Sequence, residues 1–444
     1  MNTHAIAPVQ TLLHQAASLL VYQTVLSDAP GQAFLALLQT IRHAERNTAA
    51  DNTECLHAYG NWFSALADCK QSWQDYLLTQ VLNADNPFTQ QAQRSALQDI
   101  SPALVAAARH DLQVLQQIYT CSSDQLSQWV KVAAHLTNSP VVWSYEEAAN
   151  LDWLRSTFHE APDWGDGVEP LAAHYRKQGV GLFAQYKALQ WQAGQLIGIG
   201  SPDRVQVTDL VGYDAQKEAL LKNTAFLLKG YPALHVLLYG SRGSGKSSLV
   251  KGLLHRYGDD GLRLIEVAKA ALADLPAIVE QLRDLPQKFI IFVDDLSFEE
   301  DDDVYKALKV VLEGNLTARS QNVVVYATSN RRHLIREFFG DRPRPSDGDE
   351  VHAWDTVQEK LSFSDRFGLT LTFEPANQTT YLQIIHHLAK QADIQLDAEA
   401  LEFQALQWAT RHNGRSGRSA RQFIDFLSAE LTGVGGAAEG KDRK

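Results

Sequence analysis

Along this 444-residue chain the spacing of apolar positions changes twice. Up to about Gln195 they recur at helical intervals: Leu12, Ala16, Leu19 and Leu20, then Trp62, Leu66, Cys69, Trp73 and Leu77, and later Leu182, Tyr186 and Leu189. Ser122-Ser123 ahead of Asp124 and Gln125 reads as the N-cap of a helix carrying Leu126, Trp129 and Val130. The turn-rich stretch Ala161–Pro170 interrupts this region, and Gly198-Ile-Gly-Ser-Pro202 ends it. Beyond it come short apolar runs, His235–Tyr239, Leu262–Val267, Phe289–Val293, Val323–Ala327 and Leu369–Phe373, with helical stretches between them. Strands that alternate with helices and are apolar on both faces predict a doubly wound parallel sheet. After Pro375 three helical stretches follow, ending near Leu431. The expected organisation is an all-α N-terminal domain over 1–200, an α/β core over 201–375, a helical segment over 376–431 and a disordered tail over 432–444. The polar, Pro-containing insertion Gly340–Asp355 is expected to be a surface loop. No internal repeat is evident, which argues against a solenoid.

Composition adds limits. With 45% hydrophobic, 9% aromatic and 21% charged residues, the chain reads as an ordinary soluble protein. Its net charge of -12 argues against a general nucleic-acid coat, while leaving room for a local basic patch. No apolar run is long enough to span a bilayer. Leu12–Leu26 is broken by His14, Gln15 and Gln23 and lacks a preceding basic segment, so it reads as a helix rather than a signal peptide, and a cytoplasmic location is expected. Cys55, Cys69 and Cys121 are odd in number and widely spaced, which favours buried thiols over a disulfide framework or a zinc site. Six of the nine tryptophans precede Gly165, and a packed core accounts for them better than a partner-binding platform.

The chemistry concentrates in the second half. Gly240-Ser241-Arg242-Gly243-Ser244-Gly245-Lys246-Ser247 is a complete G-x-x-x-x-G-K-[ST] phosphate loop between an apolar strand and a helix opening at Ser248. Such a loop curls its backbone N–H groups toward phosphate oxygens, a path that glycine tolerates best. Lys246 would reach the β/γ-phosphates and Ser247 would ligate Mg²⁺, so a nucleoside triphosphate is the expected ligand. Phe289-Ile-Ile-Phe-Val293 ends in Asp294, placed to hold the Mg²⁺ shell. Asp295 follows, expected on the opposite side of the strand, and could polarise the attacking water. Asn322–Asn330 is a third apolar run with a polar end, where the Asn330 amide could orient water without adding charge.

Arg366, in Ser364-Asp-Arg-Phe-Gly368, is either paired with Asp365 or an arginine finger reaching a neighbour's nucleotide, and the finger is the better reading. Arg415, Arg418 and Arg421 recur every three residues at the start of the last helix, where cations oppose the helix dipole unless an anion is near. A triphosphate fits the rest of the chain better than a nucleic-acid backbone. The acidic run Glu299–Asp303 reads as a solvated helix start rather than a metal site.

In this order, the phosphate loop, Asp-Asp strand, Thr-Ser-Asn strand, Asp-Arg-Phe-Gly segment and arginine helix resemble the AAA+ ATPases. That resemblance implies that Leu210-Val211-Gly212-Tyr213 with Gln216 cups the adenine and that Asp294 and Asp295 form the Walker B pair. It further implies Asn330 as first sensor, Arg366 as arginine finger and Arg418, or alternatively Arg421, as second sensor in a helical lid. Arg263-Leu-Ile-Glu-Val, Phe292-Val-Asp-Asp-Leu-Ser-Phe-Glu299, Tyr305-Lys-Ala-Leu-Lys, Leu312-Glu-Gly, Tyr326-Ala-Thr-Ser-Asn-Arg-Arg-His333 and Arg418-Ser-Ala-Arg-Gln-Phe423 are similar to the family called domain of unknown function 815, predicted AAA+ ATPases with a helical N-terminal region. The resemblance is strong from Asp209 to about Leu427. It implies the fold and ATP use, but no cellular role. With the site as read, ATP and Mg²⁺ are the expected cofactors, a ring or other homo-oligomer is expected because a finger at Arg366 needs a neighbour, and the N-terminal helices are expected to meet a macromolecular client; nucleic acid is a less favoured partner. Two departures matter. Most AAA+ proteins carry Glu at the position of Asp295, one methylene longer, which leaves open a slow, nucleotide-gated switch. Val267–Ala273 lacks the aromatic–aliphatic–Gly loop of threading unfoldases.

Overall fold

The computed structural model describes residues 6–46, 53–145, 153–298, 304–313, 320–330, 334, 362–412 and 414–438. The insertion expected as a surface loop (340–355) and the acidic run (299–303) lie outside the described residues. The chain divides into two compact units, Met1–Gln185 and Tyr186–Lys444.

Among its described residues the first unit is helical throughout. Its core is aromatic: Trp62, Trp73, Trp164, Phe34 and Phe88 are buried completely or nearly so, and Trp73 stacks on Phe34 and Tyr76 with centroids 4.3 and 5.6 Å apart. Trp129 and Trp143 pack against this core while half-buried. Capping follows the sequence. Ser122 and Gln125 form a reciprocal capping box at the helix Ser123–Ala133, each side chain accepting from the other's backbone N–H. The first predicted helix stops earlier than its apolar pattern suggests, at Ala17. The N–H groups of Leu20, Val21 and Tyr22 are taken up by the buried Asp111 carboxylate at 2.7–3.0 Å, a tertiary partner that compensates for the break. The cysteines form no disulfide; Cys55 and Cys121 are buried, but Cys69 is exposed, contrary to expectation. It is the last residue of the helix Thr53–Cys69, and its Sγ donates to Leu66 O at 3.2 Å.

The second unit holds a seven-stranded sheet. Its strands are β1 (Ala188–Gln192), β2 (Gln195–Gly198), β3 (Val236–Gly240), β4 (Leu262–Glu266), β5 (Lys288–Val293), β6 (Val323–Ser329) and β7 (Leu369–Phe373). Their order is β2-β1-β4-β5-β6-β3-β7, parallel except for the β1–β2 hairpin. Phe289–Val293 of β5 is fully buried, as an apolar run covered on both faces should be. The hairpin corrects two expectations. Residues 188–198 are strands, not helix, and they belong to the sheet unit, so the chain divides at Gln185/Tyr186 rather than near Gly198–Pro202. Tyr186 and Leu189 satisfy a helical spacing by coincidence. Ala193-Gly194 between β1 and β2 is a two-residue turn with φ of +50° and +80° at its two positions.

Three helices, Gln378–Gln391, Ala398–Arg411 and Gly417–Ala438, close the chain around their own apolar cluster of Tyr381, Ile385, Leu401, Ala405, Phe423 and Ile424. The last helix continues to Ala438, into the 432–444 segment where a disordered tail was expected; residues 439–444 lie outside the described set.

Candidate nucleotide site

Sheet register assembles the site. Val293 of β5 lies opposite Ala327 of β6, which sets Asp294 beside Thr328. Tyr239 of β3 lies opposite Ser329, which sets Asn330 beside Gly240 and the phosphate loop. The C-terminal ends of β3, β5 and β6 therefore deliver loop, carboxylates and amide to one edge of the sheet, where ligands of open α/β sheets bind.

The loop follows β3 and runs into the helix Lys246–Tyr257. At Gly245 the backbone has φ +87°, and a Cβ there would come within 2.1 Å of Leu210 Cδ1, so only glycine fits. Gly240 has a different reason: a Cβ would meet Phe373 O at 2.0 Å, because β7 packs against it. Lys246 is 7% exposed, and its Nζ donates to Gly240 O at 3.0 Å, Ser241 O at 2.7 Å and Asn330 Oδ1 at 3.4 Å. Burial pulls its pKa down, Asp294 and Asp295 push it back up, and Arg418 adds to the lowering.

Asp294 Oδ1 accepts from Ser247 Oγ at 2.6 Å, Thr328 Oγ1 at 2.5 Å and the Asp295 N–H at 3.2 Å. Asp295 is not on the opposite side of the strand. β5 ends at Val293, and Asp295 takes a left-handed conformation (φ +50°), so both carboxylates face one cavity. Strict alternation lapses where the strand stops. The Asn330 Nδ2 donates to Asp295 Oδ1 at 2.6 Å, which links Lys246, Asn330 and Asp295 in one chain of hydrogen bonds.

The cavity measures about 740 Å³. Of the residues singled out in the sequence, it is lined by Ser241 to Ser248, Val211, Asp294, Asp295, Asn330, Arg418 and Arg421, with Arg415 joining them. The last helix begins at Gly417, so Arg415 precedes it, and Arg418 and Arg421 lie one turn apart. Gly417 lies against the loop, its Cβ position 3.0 Å from Gly243 O. Gly240, Gly212 and Arg366 do not line the cavity. Gly212 has φ +77° and faces Thr380, whereas the half-buried Arg366 pairs with Glu313 at 2.9 Å rather than with Asp365. Leu210 and Val211 are joined by Val205, Ala376, Ile384 and Leu388 in an apolar part of the lining. Ile384 and Leu388 come from the first C-terminal helix, whose amphipathic spacing could not be told from ordinary core. Thr328 was also missed, because in sequence it is one of three polar residues ending a strand. Neighbouring bonds tie this region together: Tyr213 donates its hydroxyl to Glu374 O at 2.6 Å, Gln216 donates to Thr372 O at 2.8 Å, and Gln391 donates to Asp209 Oδ1 at 2.9 Å.

Five parallel strands in the order second, third, fourth, first, fifth, with a phosphate loop after the first and a helical lid after the fifth, define an AAA+ P-loop fold. The hairpin β1–β2 is an addition at the sheet's far edge. Residues 184–431 match the family model described as protein of unknown function (DUF815), and the chain belongs to that family. A comparison with curated proteins yields no match. Among solved structures, the Thermotoga maritima RuvB Holliday junction branch migration motor is similar at 18% identity and a TM-score of 0.36, over 52% of this chain and 66% of that one. The FIGL-1 AAA domain in complex with ADP is similar at 18% identity and a TM-score of 0.37, over 55% of this chain and 79% of that one. This chain thus spans slightly less than two thirds of the RuvB chain. Among the described residues, no helix is long and apolar enough to cross a membrane.

Proposed function

We propose that the protein binds ATP with Mg²⁺ in this cavity and hydrolyses it to remodel or assemble a macromolecular partner. The observation that carries the reading is the convergence of a curled phosphate loop, a buried lysine, two carboxylates and an amide on one cavity, with three arginines across it. A polyanion is the ligand those cations fit. The donor set suits Mg²⁺: the Ser247 hydroxyl and the Asp294 carboxylate are hard oxygen ligands, and among the described residues nothing donates to Asp294 Oδ2. Mg²⁺ held there would neutralise charge on the β- and γ-phosphates. Lys246 exchanges its two loop carbonyls for phosphate oxygens. Asp295 accepts a proton from the attacking water, and Asn330, already bonded to Asp295, holds that water in line. Arg418, with Arg421 as the alternative, faces the phosphates from the lid. The apolar lining from Val205 to Leu388 takes the base.

Arg366 acts in trans. It lies outside the cavity of its own chain, so its part in hydrolysis needs a neighbouring copy and hence a homo-oligomer, a ring being the simplest closed form. The helical first unit is the natural seat for the client.

Calorimetric titration of ATP and a phosphate-release assay test this together. Lys246→Ala should lose nucleotide binding, whereas Asp295→Asn should bind ATP and release no phosphate. Unaltered binding by Lys246→Ala would refute the proposal. A second reading, a slow nucleotide-gated switch, is favoured by one observation: Asn330 is engaged by both Asp295 and Lys246, and turnover requires that chain of bonds to open. Slow turnover with nucleotide-dependent assembly would support it.

A further inference from the structure

Among the described residues, Thr328 is the one whose side chain bonds both the Asp294 carboxylate and the Asp295 backbone. It is 2% exposed, at the C-terminal end of β6. Its hydroxyl donates to Asp294 Oδ1 at 2.5 Å and accepts from the Asp295 N–H at 3.0 Å. Its carbonyl accepts from the Leu296 N–H at 2.7 Å. One residue therefore contacts three successive positions of the turn that follows β5. That turn is the place where the backbone leaves the strand and enters the left-handed region at Asp295.

We infer that Thr328 is a positioning residue that orients the Asp294–Asp295 pair, and that its hydroxyl ties the Mg²⁺-facing carboxylate of Asp294 to the backbone of the residue that carries the water-facing one. The inference rests on the ATPase reading above. The hydroxyl has one proton, and a carboxylate cannot donate, so that proton is committed to Asp294 and a lone pair is left for the Asp295 N–H. With Ser247 and Asp295 N–H also on Oδ1, the Asp294 carboxylate is fixed in rotation and presents Oδ2 outward. At the same time the N–H bond anchors the residue whose unusual φ brings its carboxylate into the cavity. Neither effect comes from packing. A residue of equal shape without the hydroxyl would lose both.

Thr328→Val is that residue, and Thr328→Ser restores the hydroxyl alone. The backbone bond from Leu296 to residue 328 survives both changes, as does the 3.2 Å bond from Asp295 N–H to Asp294. ATP binding is measured by titration with and without Mg²⁺, alongside phosphate release and thermal melting. Without Mg²⁺, Thr328→Val should bind ATP as the parent does. The Mg²⁺ concentration that half-maximally tightens binding should rise by about 10-fold, and kcat should fall by roughly 10- to 100-fold, the effect of one hydrogen bond to a charged group. Thr328→Ser should recover most of both. Parental Mg²⁺ dependence and kcat in Thr328→Val would overturn the inference alone, leaving the ATPase reading standing. So would a serine variant no better than valine, or a valine variant that melts far below the parent and binds poorly even without Mg²⁺. A parent chain that binds no nucleotide would defeat the ATPase reading and this inference with it.

Discussion

Asp295 is the position where structure and family pattern pull in different directions, and Asp295→Glu tests which prevails. If only reach mattered, the longer side chain found in most AAA+ proteins should speed turnover. The backbone argues otherwise. Asp295 has φ +50°, and there aspartate and asparagine are several-fold enriched over other non-glycine residues, which corresponds to about 1 kcal/mol against glutamate. The Asn330 Nδ2 bond to Asp295 Oδ1, at 2.6 Å, must also be remade with an extra methylene, at a cost of about 1 kcal/mol for a carboxylate open to solvent. Together these predict a loss of about 2 kcal/mol. For a unit of this size that is a fall of about 4–8 °C in melting temperature. Turnover should drop rather than rise, by roughly 10- to 30-fold if the misplaced carboxylate loses the same energy in the transition state. Differential scanning calorimetry and a coupled phosphate-release assay on the two chains give both quantities. A glutamate variant that melts with the parent and hydrolyses faster would refute the idea that the left-handed turn sets this site's geometry.

Three further outcomes are expected. Arg366→Ala and Lys246→Ala chains should each be inactive alone, yet mixing them should restore part of the turnover, since one lends an intact finger and the other an intact site; no recovery on mixing, or parental turnover by Arg366→Ala alone, would refute action in trans. Arg263, fully buried, donates to Gly258 O at 3.0 Å and Leu262 O at 2.9 Å, and burial pulls its pKa down to about 10; Arg263→Ala should destabilise the sheet unit by about 2–4 kcal/mol in urea unfolding, because the end of the helix Lys246–Tyr257 loses its donor. A thiol reagent at pH 8 should label Cys69 in the native protein and Cys55 and Cys121 only after unfolding, the last because burial pushes its thiol up to about 12; early modification of Cys121 would contradict the packing of the first unit.

Local chemistry was readable wherever one segment carries its own signal. The phosphate loop is such a case, since a tight turn of glycines between an apolar strand and a helix seldom serves any purpose but cradling an anion. The five parallel strands were legible for a similar reason: runs such as Phe289–Val293 are apolar at every position because both faces are covered. The hairpin at 188–198 was not legible, because Tyr186 and Leu189 also satisfy a helical spacing and only pairing with β4 settles the ambiguity.

What the sequence determined by itself is a set of candidates that meet at one cavity, namely Ser241 to Ser248, Asp294, Asp295, Asn330, Arg415, Arg418 and Arg421, along with the class of sheet that carries them. What only the tertiary structure decided is their mutual placement. Register between β5 and β6 put Thr328 against the Asp294 carboxylate and the Asp295 backbone N–H, a positive φ set Asp295 on the same cavity as Asp294 rather than across the strand from it, and the packing of the C-terminal helices brought Ile384 and Leu388 to its wall. The physical reason is that a motif constrains residues a few positions apart, whereas hydrogen bonds and burial act between residues that meet only after strands far apart in the chain have paired.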